Sequence, residues 1–315
     1  MKYTVTGCSG FIGSNLVDRL LANGHKVVGI DNLSTGRIEF LNNAIINKNF
    51  EFAEGDILDQ DFLNKKLKGS RHIYHLSANA DVRFGLESPS KDINQNTIGT
   101  FNVLEAMRLN GISEISFSST GSVYGEAELI PTPEDAPFPI QTSLYGASKL
   151  AGEGLISAYC EGFNFRANIF RFVGILGERY THGHVYDFFR KLSDDKSKLE
   201  ILGNGKQKKS YLYVQDCIDA MLLAESNMND KTSIYNLGID SYCNVIQSAK
   251  IICDELNVDP EFLLTGGDRG WIGDNPFIYL ETKKIRSLGW EPKFSIEDAL
   301  RKTVAFLKEN TWVFK

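Results

Sequence analysis

A tyrosine and a lysine stand four residues apart in Tyr145-Gly146-Ala147-Ser148-Lys149. On a helix, residues i and i+4 are neighbours, so phenol and ammonium would share one face. Bringing a tyrosine from a pKa of about 10 to about 7 takes about 4 kcal/mol, and a cation ~4 Å away at intermediate dielectric supplies an interaction of that order. The pair could therefore act as an acid/base unit, although the same spacing is common on solvated helices. Upstream, Ser118-Ser119-Thr120 closes a β-rich run and would set hydroxyls at one edge of a sheet, where α/β proteins bind ligands. A second constellation, Gly7-x-x-Gly10-x-x-Gly13, joins a β-rich run to a helical one. There Gly7 would make the turn, Gly10 would let a pyrophosphate approach, and Gly13 would let helix lie against strand, with helix N–H groups aimed at the phosphates. The next β-rich run ends at Asp31, 18 residues after Gly13. A carboxylate there can accept hydrogen bonds from both adenosine ribose hydroxyls and would repel a 2′-phosphate, which favours NAD over NADP. Arg37 could answer such a phosphate, but a solvated helix position also accounts for it.

These groups need a scaffold that brings them together. Lys2–Thr6, Lys26–Asp31, Phe50–Glu54, Arg71–Leu76, Glu114–Ser118 and Phe165–Arg171 read as strands alternating with helical patterns. That rhythm predicts an α/β fold, a doubly wound parallel sheet covered by helices. Ile12, Leu16, Val17, Leu20 and Leu21 fall at helical spacing within Phe11–Asn23 before Gly24 ends the pattern, and Ile98–Leu109 behaves similarly. After about residue 175 the pieces shorten, with glycine turns at 203–205 and 266–270 and a last helix over Ile296–Lys308. The expected division is 1–175 for cofactor and acid/base pair and 176–315 for a smaller α/β cap, some of whose elements return to the first part. No linker, repeat or low-complexity tract separates them.

The 315 residues, 42% hydrophobic, suffice for a full core. A balance of 34 basic against 40 acidic residues, net −6 with a pI near 5.5, argues against a nucleic-acid surface and for a small-molecule partner. The opening residues form no apolar leader and no run of 18 apolar residues follows, so no membrane association and a cytoplasmic setting are expected. Cys8, Cys160, Cys217, Cys243 and Cys253 are odd in number and lack C-x-x-C spacing, so they signal neither a disulfide framework nor a metal site.

With these motifs in place, the whole chain resembles the extended short-chain dehydrogenase/reductases, in particular the NAD-dependent epimerase/dehydratase group of nucleotide-sugar enzymes. Thr6-Gly7-Cys8-Ser9-Gly10-Phe11-Ile12-Gly13 resembles the family's opening loop, and Asp31-Asn32-Leu33-Ser34-Thr35-Gly36 its second strand end. Gly55-Asp56-Ile57 is similar to the adenine-edge segment, His75-Leu76-Ser77-Ala78-Asn79-Ala80 to the loop by the cofactor ribose and pyrophosphate, and Asn96-Thr97-Ile98-Gly99-Thr100 to a supporting helix. The resemblance implies a Rossmann-type fold with NAD held by Gly7, Gly10, Phe11, Ile12, Gly13, Asp31, Asn32, Ser34, Asp56, Ile57, Leu76, Ser77, Ala78, Asn96, Ser118, Tyr145, Lys149 and Val173. It gives Thr120 the hydrogen bond to the sugar's 4-oxygen, Tyr145 the role of general base, and Lys149 that of holding the nicotinamide ribose.

The implied reaction removes the 4-hydroxyl proton to Tyr145 while the C4 hydride passes to NAD, giving a 4-keto sugar. Dehydratases of the family place Asp-Glu after the threonine; Gly121 and Ser122 stand here, which disfavours 4,6-dehydration. A 4-epimerase is the first expectation, a net C4 dehydrogenase the second, and a silent NAD-binding sensor a third of another class. The nucleotide-diphospho-sugar contacts suggested by the resemblance are Arg83, Arg179, Lys209 and Arg269, besides Thr120 and Tyr145, with His182 and His184 on the cap-side loop. Gly174 replaces a common asparagine and Lys209 a common arginine, so phosphate contact there would be a point charge rather than a fork. The family also implies a homodimer, with Ala147, Ala151, Leu155 and Ala158 offering a small apolar stripe.

Overall fold

The computed structural model describes residues 1–80, 84–137, 140–271, 274–275 and 277–314. Its centre is a seven-stranded parallel sheet. Six strands come from the first half: β1 (Lys2–Thr6), β2 (Lys26–Asp31), β3 (Phe50–Glu54), β4 (His72–His75), β5 (Glu114–Thr120) and β6 (Arg166–Phe172). The seventh is Thr232–Leu237, so the order across the sheet is Thr232–Leu237, β6, β5, β4, β1, β2, β3. From β1 the chain winds outward to β3, then crosses back to β4 and winds the other way. The reversal between β1 and β4 opens a crevice at the carboxyl ends of the strands, the usual ligand site of such sheets.

Both faces of the sheet are covered, so its central strands are buried almost throughout, with small hydroxyls and histidines such as Thr4, Thr6, His75 and Ser116 hydrogen-bonded between the apolar side chains. On one face the first helix (Phe11–Ala22) buries Leu16, Val17 and Leu20 completely and packs against Val214–Ser226. Full burial of each such side chain contributes about 1.5–3 kcal/mol. On the other face Gly99–Leu109 and the Tyr145 helix (Leu144–Phe163) close a separate core around Phe117, Leu104, Met107 and Ile156. Ser143 caps the Tyr145 helix, its Oγ accepting the Gly146 N–H at 3.0 Å, and Asn164 in the left-handed conformation (φ 57) ends it.

Strand ends are decided by pairing rather than composition. β5 runs two residues beyond the expected Ser118, because Ser119 and Thr120 still pair with Arg171 and Phe172. β4 is shorter than Arg71–Leu76, and β6 lies one residue later than expected. The expected Ile98–Leu109 helix is α-helical from Gly99 and preceded by a π-helical stretch, Ile93–Ile98.

Beyond residue 175, Val214–Ser226 and Thr232–Leu237 belong to the sheet body. The remainder forms small sheets over the carboxyl edge, such as Lys208–Lys209 between Cys243–Asn244 and Phe277–Ile278. Helices His184–Asp194, Val245–Leu256 and Ile296–Glu309 pack on one another behind them. The last begins with a reciprocal cap, Ser295 with Asp298. Among the described residues no helix is long and apolar enough to cross a membrane.

Candidate active site

A cleft of about 900 Å³ lies between the sheet's carboxyl edge and the small sheets above it. Its floor starts at the β1 turn. Gly7 has φ 72, and a Cβ there would lie 2.8 Å from the Ser77 nitrogen and 2.9 Å from the Leu76 carbonyl carbon. A Cβ on Gly13 would collide with the Gly7 carbonyl oxygen. No side chain caps the first helix at Gly10, so its first N–H groups stay available to an anion. This cradle fits a pyrophosphate and would not survive side chains.

Asp31 ends β2 at the cleft, nearly buried, its Oδ2 accepting the Ser9 N–H and its Oδ1 the Leu33 N–H, each at 2.9 Å. Burial raises its pKa, and the two N–H donors partly offset that. Asn32 donates to Asp56 Oδ2 at 2.9 Å, which joins the second and third strand ends, and Ser34, Asp56 and Ile57 line the same wall. Arg37 also borders the cleft, but its guanidinium donates to the Val313 carbonyl at 3.1 Å near the chain's end. Leu76, Ser77 and Ala78 line the floor, and the Leu76 and Ser77 N–H groups reach Thr6 Oγ1 at 3.2 and 3.3 Å. His75 supports this loop from beneath, Nδ1 on Thr6 Oγ1 at 2.8 Å and Nε2 on Thr100 Oγ1 at 3.0 Å.

Thr120 and Tyr145 face the cleft together, close enough for Thr120 to ease the ionisation of the phenol. Lys149 is only 1% exposed, and its Nζ donates to the Ser118 carbonyl at 2.7 Å, 4.7 Å from the Phe117 ring centre. Burial pulls its pKa down to about 7, against the opposing charges of Glu153 and Asp92. The sequence led us to expect an acidified tyrosine. In the protein itself burial pushes Tyr145 up to about 12, with Thr120 only partly offsetting it and the charge of Asp92 adding to it.

Several expected contacts are placed elsewhere. Asn96 does not line the cleft: it accepts the Asn79 N–H at 2.8 Å and donates to Ser148 Oγ at 2.9 Å, holding the floor loop to the Tyr145 helix. Val173 lines the cleft, with its N–H donated to the Leu237 carbonyl at 3.1 Å. Arg179 points away, into an ion pair with Asp18 at 2.5 Å beside a separate cavity walled by Phe40 and Trp312. Its backbone (φ 73) turns it off the path its sequence neighbours Tyr180 and His182 follow into the cleft. Arg269 sits at the rim, paired with Glu126 and donating to the Asp274 carbonyl at 3.2 Å. Lys209 does reach the cleft, its Nζ 2.7 Å from Asp274 Oδ1. Arg83 lies outside the described residues.

His182 lines the cleft and stacks on Tyr180 at 5.9 Å. His184 lines it too but is held by Ser248 Oγ at 2.6 Å and Tyr211 Oη at 3.3 Å, and burial lowers its pKa to about 3. The sequence reading missed Asn79, Gln207, Trp271, Asn275 and Ile278, all lining residues. Gln207 is nearly buried, and its Oε1 has no hydrogen-bond partner among the described residues, an acceptor left for a ligand. Asn79 sat in the loop motif after β4 and Trp271 in the segment around Arg269; the others come from cap elements with no local signature.

The model of the NAD dependent epimerase/dehydratase family matches residues 3–238. UDP-glucose 4-epimerase of Mycolicibacterium smegmatis is 32% identical over 319 residues, covering 99% of this chain and all of that one. A crystal structure of UDP-galactose 4-epimerase superimposes with a TM-score of 0.89 at 36% identity, covering 99% of this chain and 100% of that one. UDP-glucuronic acid 4-epimerase from Bacillus cereus, solved with UDP-glucuronic acid and NAD, gives 0.90 at 27% identity, covering 98% of this chain and 99% of that one.

Proposed function

The chain belongs to the NAD dependent epimerase/dehydratase family, whose members are NAD-dependent nucleotide-sugar enzymes, and from that premise we propose that it is a nucleotide-sugar 4-epimerase. The observation that carries this reading is that Tyr145 and Thr120 line the cleft together, one helical turn from the buried Lys149 on the Ser118 carbonyl. The Gly7–Gly13 turn and Asp31 would hold NAD, which would supply a reversible two-electron oxidation of the sugar carbon. The rest is the chain's own work. Tyr145 takes the proton of the sugar's 4-hydroxyl and later returns it, while Thr120 holds the same oxygen. The Lys149 ammonium favours the phenolate that burial otherwise resists.

The cap side supplies binding. Lys209, with Asp274 as counter-ion, offers a point charge to the diphosphate, and Arg269 could join it by leaving Glu126. No acid pair follows Thr120, since Gly121 is packed against Ile278 and Ser122 donates its backbone N–H to Thr120 Oγ1 at 3.1 Å. Elimination of water across C5 and C6 therefore lacks its catalysts. A cleft of this size leaves a keto sugar room to turn and be reduced on its other face. The five thiols are free and buried or half-buried, which suits a reducing cytoplasm.

A homodimer is part of the same reading. Ala151 and Ala158 on the Tyr145 helix and Phe101 and Leu109 on its neighbour are exposed, a continuous apolar surface for a four-helix seam. Light scattering at micromolar concentration is expected to give twice the chain mass; the monomer mass would reject it. The function is tested by incubating the protein with UDP-, GDP-, CDP- and dTDP-sugars and identifying products by mass spectrometry and chromatography. A 4-epimer without net NADH is expected. Stoichiometric NADH with a released 4-keto sugar would make it a C4 dehydrogenase, and no reduction of NAD with any sugar would leave a sensor.

A further inference from the structure

Glu153 follows Lys149 by one helical turn and is only 4% exposed, yet nothing in the proposed chemistry uses it. Its carboxylate is gripped by Arg171, Nη2 to Oε2 at 2.7 Å and Nε to Oε1 at 3.1 Å, and Oε1 also accepts the Ser119 hydroxyl. Ser119 stands between Ser118, whose carbonyl receives Lys149, and Thr120. Arg171 continues outward, donating to Tyr124 Oη at 2.7 Å and the Glu134 carbonyl at 3.1 Å, and Tyr124 donates to Asn236 at 2.8 Å. A buried ion pair of this kind is poor at stabilising a fold, because desolvation consumes most of its Coulomb energy. Here it hydrogen-bonds Ser119, the middle one of the three residues that end β5.

We propose that Glu153 is a positioning residue for the reaction: it fixes the Ser118–Thr120 strand end against the Tyr145 helix and supplies negative charge beside the buried Lys149 ammonium. The inference rests on the C4 chemistry proposed above. The charged and titratable groups around Lys149 are Tyr145 and Glu153 on its own helix, Asp92 from Pro89–Asp92, His75 from β4, and Arg171 of β6 acting through Glu153. His75 is neutral at working pH, burial holding it near 3. Asp92 is tied to Asn79 Nδ2 at 2.7 Å, with burial raising its own pKa. Glu153, gripped by both arms of Arg171 one turn along the helix from Lys149, is thus the more firmly placed of the two carboxylates facing the lysine, and its charge is the main one opposing the burial that lowers Lys149.

The sign follows directly. Removing the negative charge makes the ammonium harder to keep, so Lys149 loses its proton at lower pH. Glu153→Gln is expected to move the alkaline limb of kcat to lower pH by about one pH unit, with kcat at pH 8 down ~10-fold or more and KM for the sugar nearly unchanged. The titration of the Lys149 ammonium, followed by nitrogen-15 lysine NMR without any sugar, should move the same way, whereas Glu153→Asp, which keeps the charge, should restore the limb. A folded Glu153→Gln protein whose Lys149 titration is unmoved overturns the proposal, whatever the enzyme's substrate proves to be; absence of turnover in the unmodified protein would instead reject the C4 chemistry. Should Glu153→Gln not fold, Ser119→Ala decides the positioning half, since it deletes one hydrogen bond and leaves the ion pair. A fall in kcat of ~3–10-fold with KM and limb unmoved is expected, and an unchanged kcat overturns it.

Discussion

At the amino edge of the sheet, Glu114 opens β5 with its carboxylate taken by Arg71 and Arg166, and His72 and Glu225 complete a cluster of metal-ligand type. At the carboxyl edge, the same strand ends at Thr120 above Lys149, with Glu153, Arg171 and Asp92 around it. Both ends bury charge, but only one balances it. The two arginines of the amino edge are 49% and 42% exposed, so water shares the load, and both guanidiniums pair with Glu114. Lys149 is sealed in, its hydrogen-bond acceptor is a neutral carbonyl, and both nearby carboxylates are bound to other groups. A balanced cluster serves stability. An under-compensated cation with a strongly lowered pKa is the mark of a group kept ready to act.

The largest effect should come from the carboxyl edge. Tyr145→Phe keeps the ring but removes the oxygen, and turnover is expected to fall ~10²–10⁴-fold with NAD affinity largely intact. Lys149→Ala should damage both properties, measured as steady-state rate and as NAD dissociation constant by fluorescence. A Phe variant that keeps most of its turnover across the pH range would erase the distinction between the two edges.

Acid sensitivity sharpens the comparison. His72, His75 and His184 are fully buried, and burial lowers each from 6.5 to about 3. Each is neutral when folded and takes up a proton on unfolding, so the stability they contribute is present above about pH 6.5 and is lost as pH falls toward 3. Urea midpoints measured from pH 7 to pH 4 should fall accordingly. His72→Gln at the amino edge should flatten that slope without moving the turnover profile. A shifted profile would join the two edges electrostatically.

The smallest effect is expected from Glu114→Gln, which leaves two half-exposed arginines without a buried anion. A loss of about 1–3 kcal/mol in unfolding free energy is expected, with kcat and its pH limbs unchanged. Glu153→Gln changes the same functional group on the other edge, and the two variants should part company in the pH profile alone.

The β1 turn and the Tyr145 helix were legible because their chemistry is local. Gly7, Gly10 and Gly13 announce a backbone approach within one turn, and Tyr145 and Lys149 meet because four residues bring a helix round. β1, β2 and β3 matched the structure end to end, since each is a short β-rich segment. Where β5 stopped was not legible, because Ser119 and Thr120 extend it only by pairing with β6. Arg179 shows the limit of a motif: its type and place were right for a phosphate, but a left-handed backbone and Asp18 direct it elsewhere.

Sequence by itself thus determined the fold class and put forward the cofactor turn and the Tyr145–Lys149 pair, all written in spacings of a few residues. Tertiary structure decided which charges remain uncompensated. Lys149 owes its lowered pKa to its burial in the packed fold, and Glu153 meets Ser119 and Arg171 only when β5, β6 and the Tyr145 helix pack. Desolvation depends on what surrounds a group in space, and no spacing along the chain encodes it.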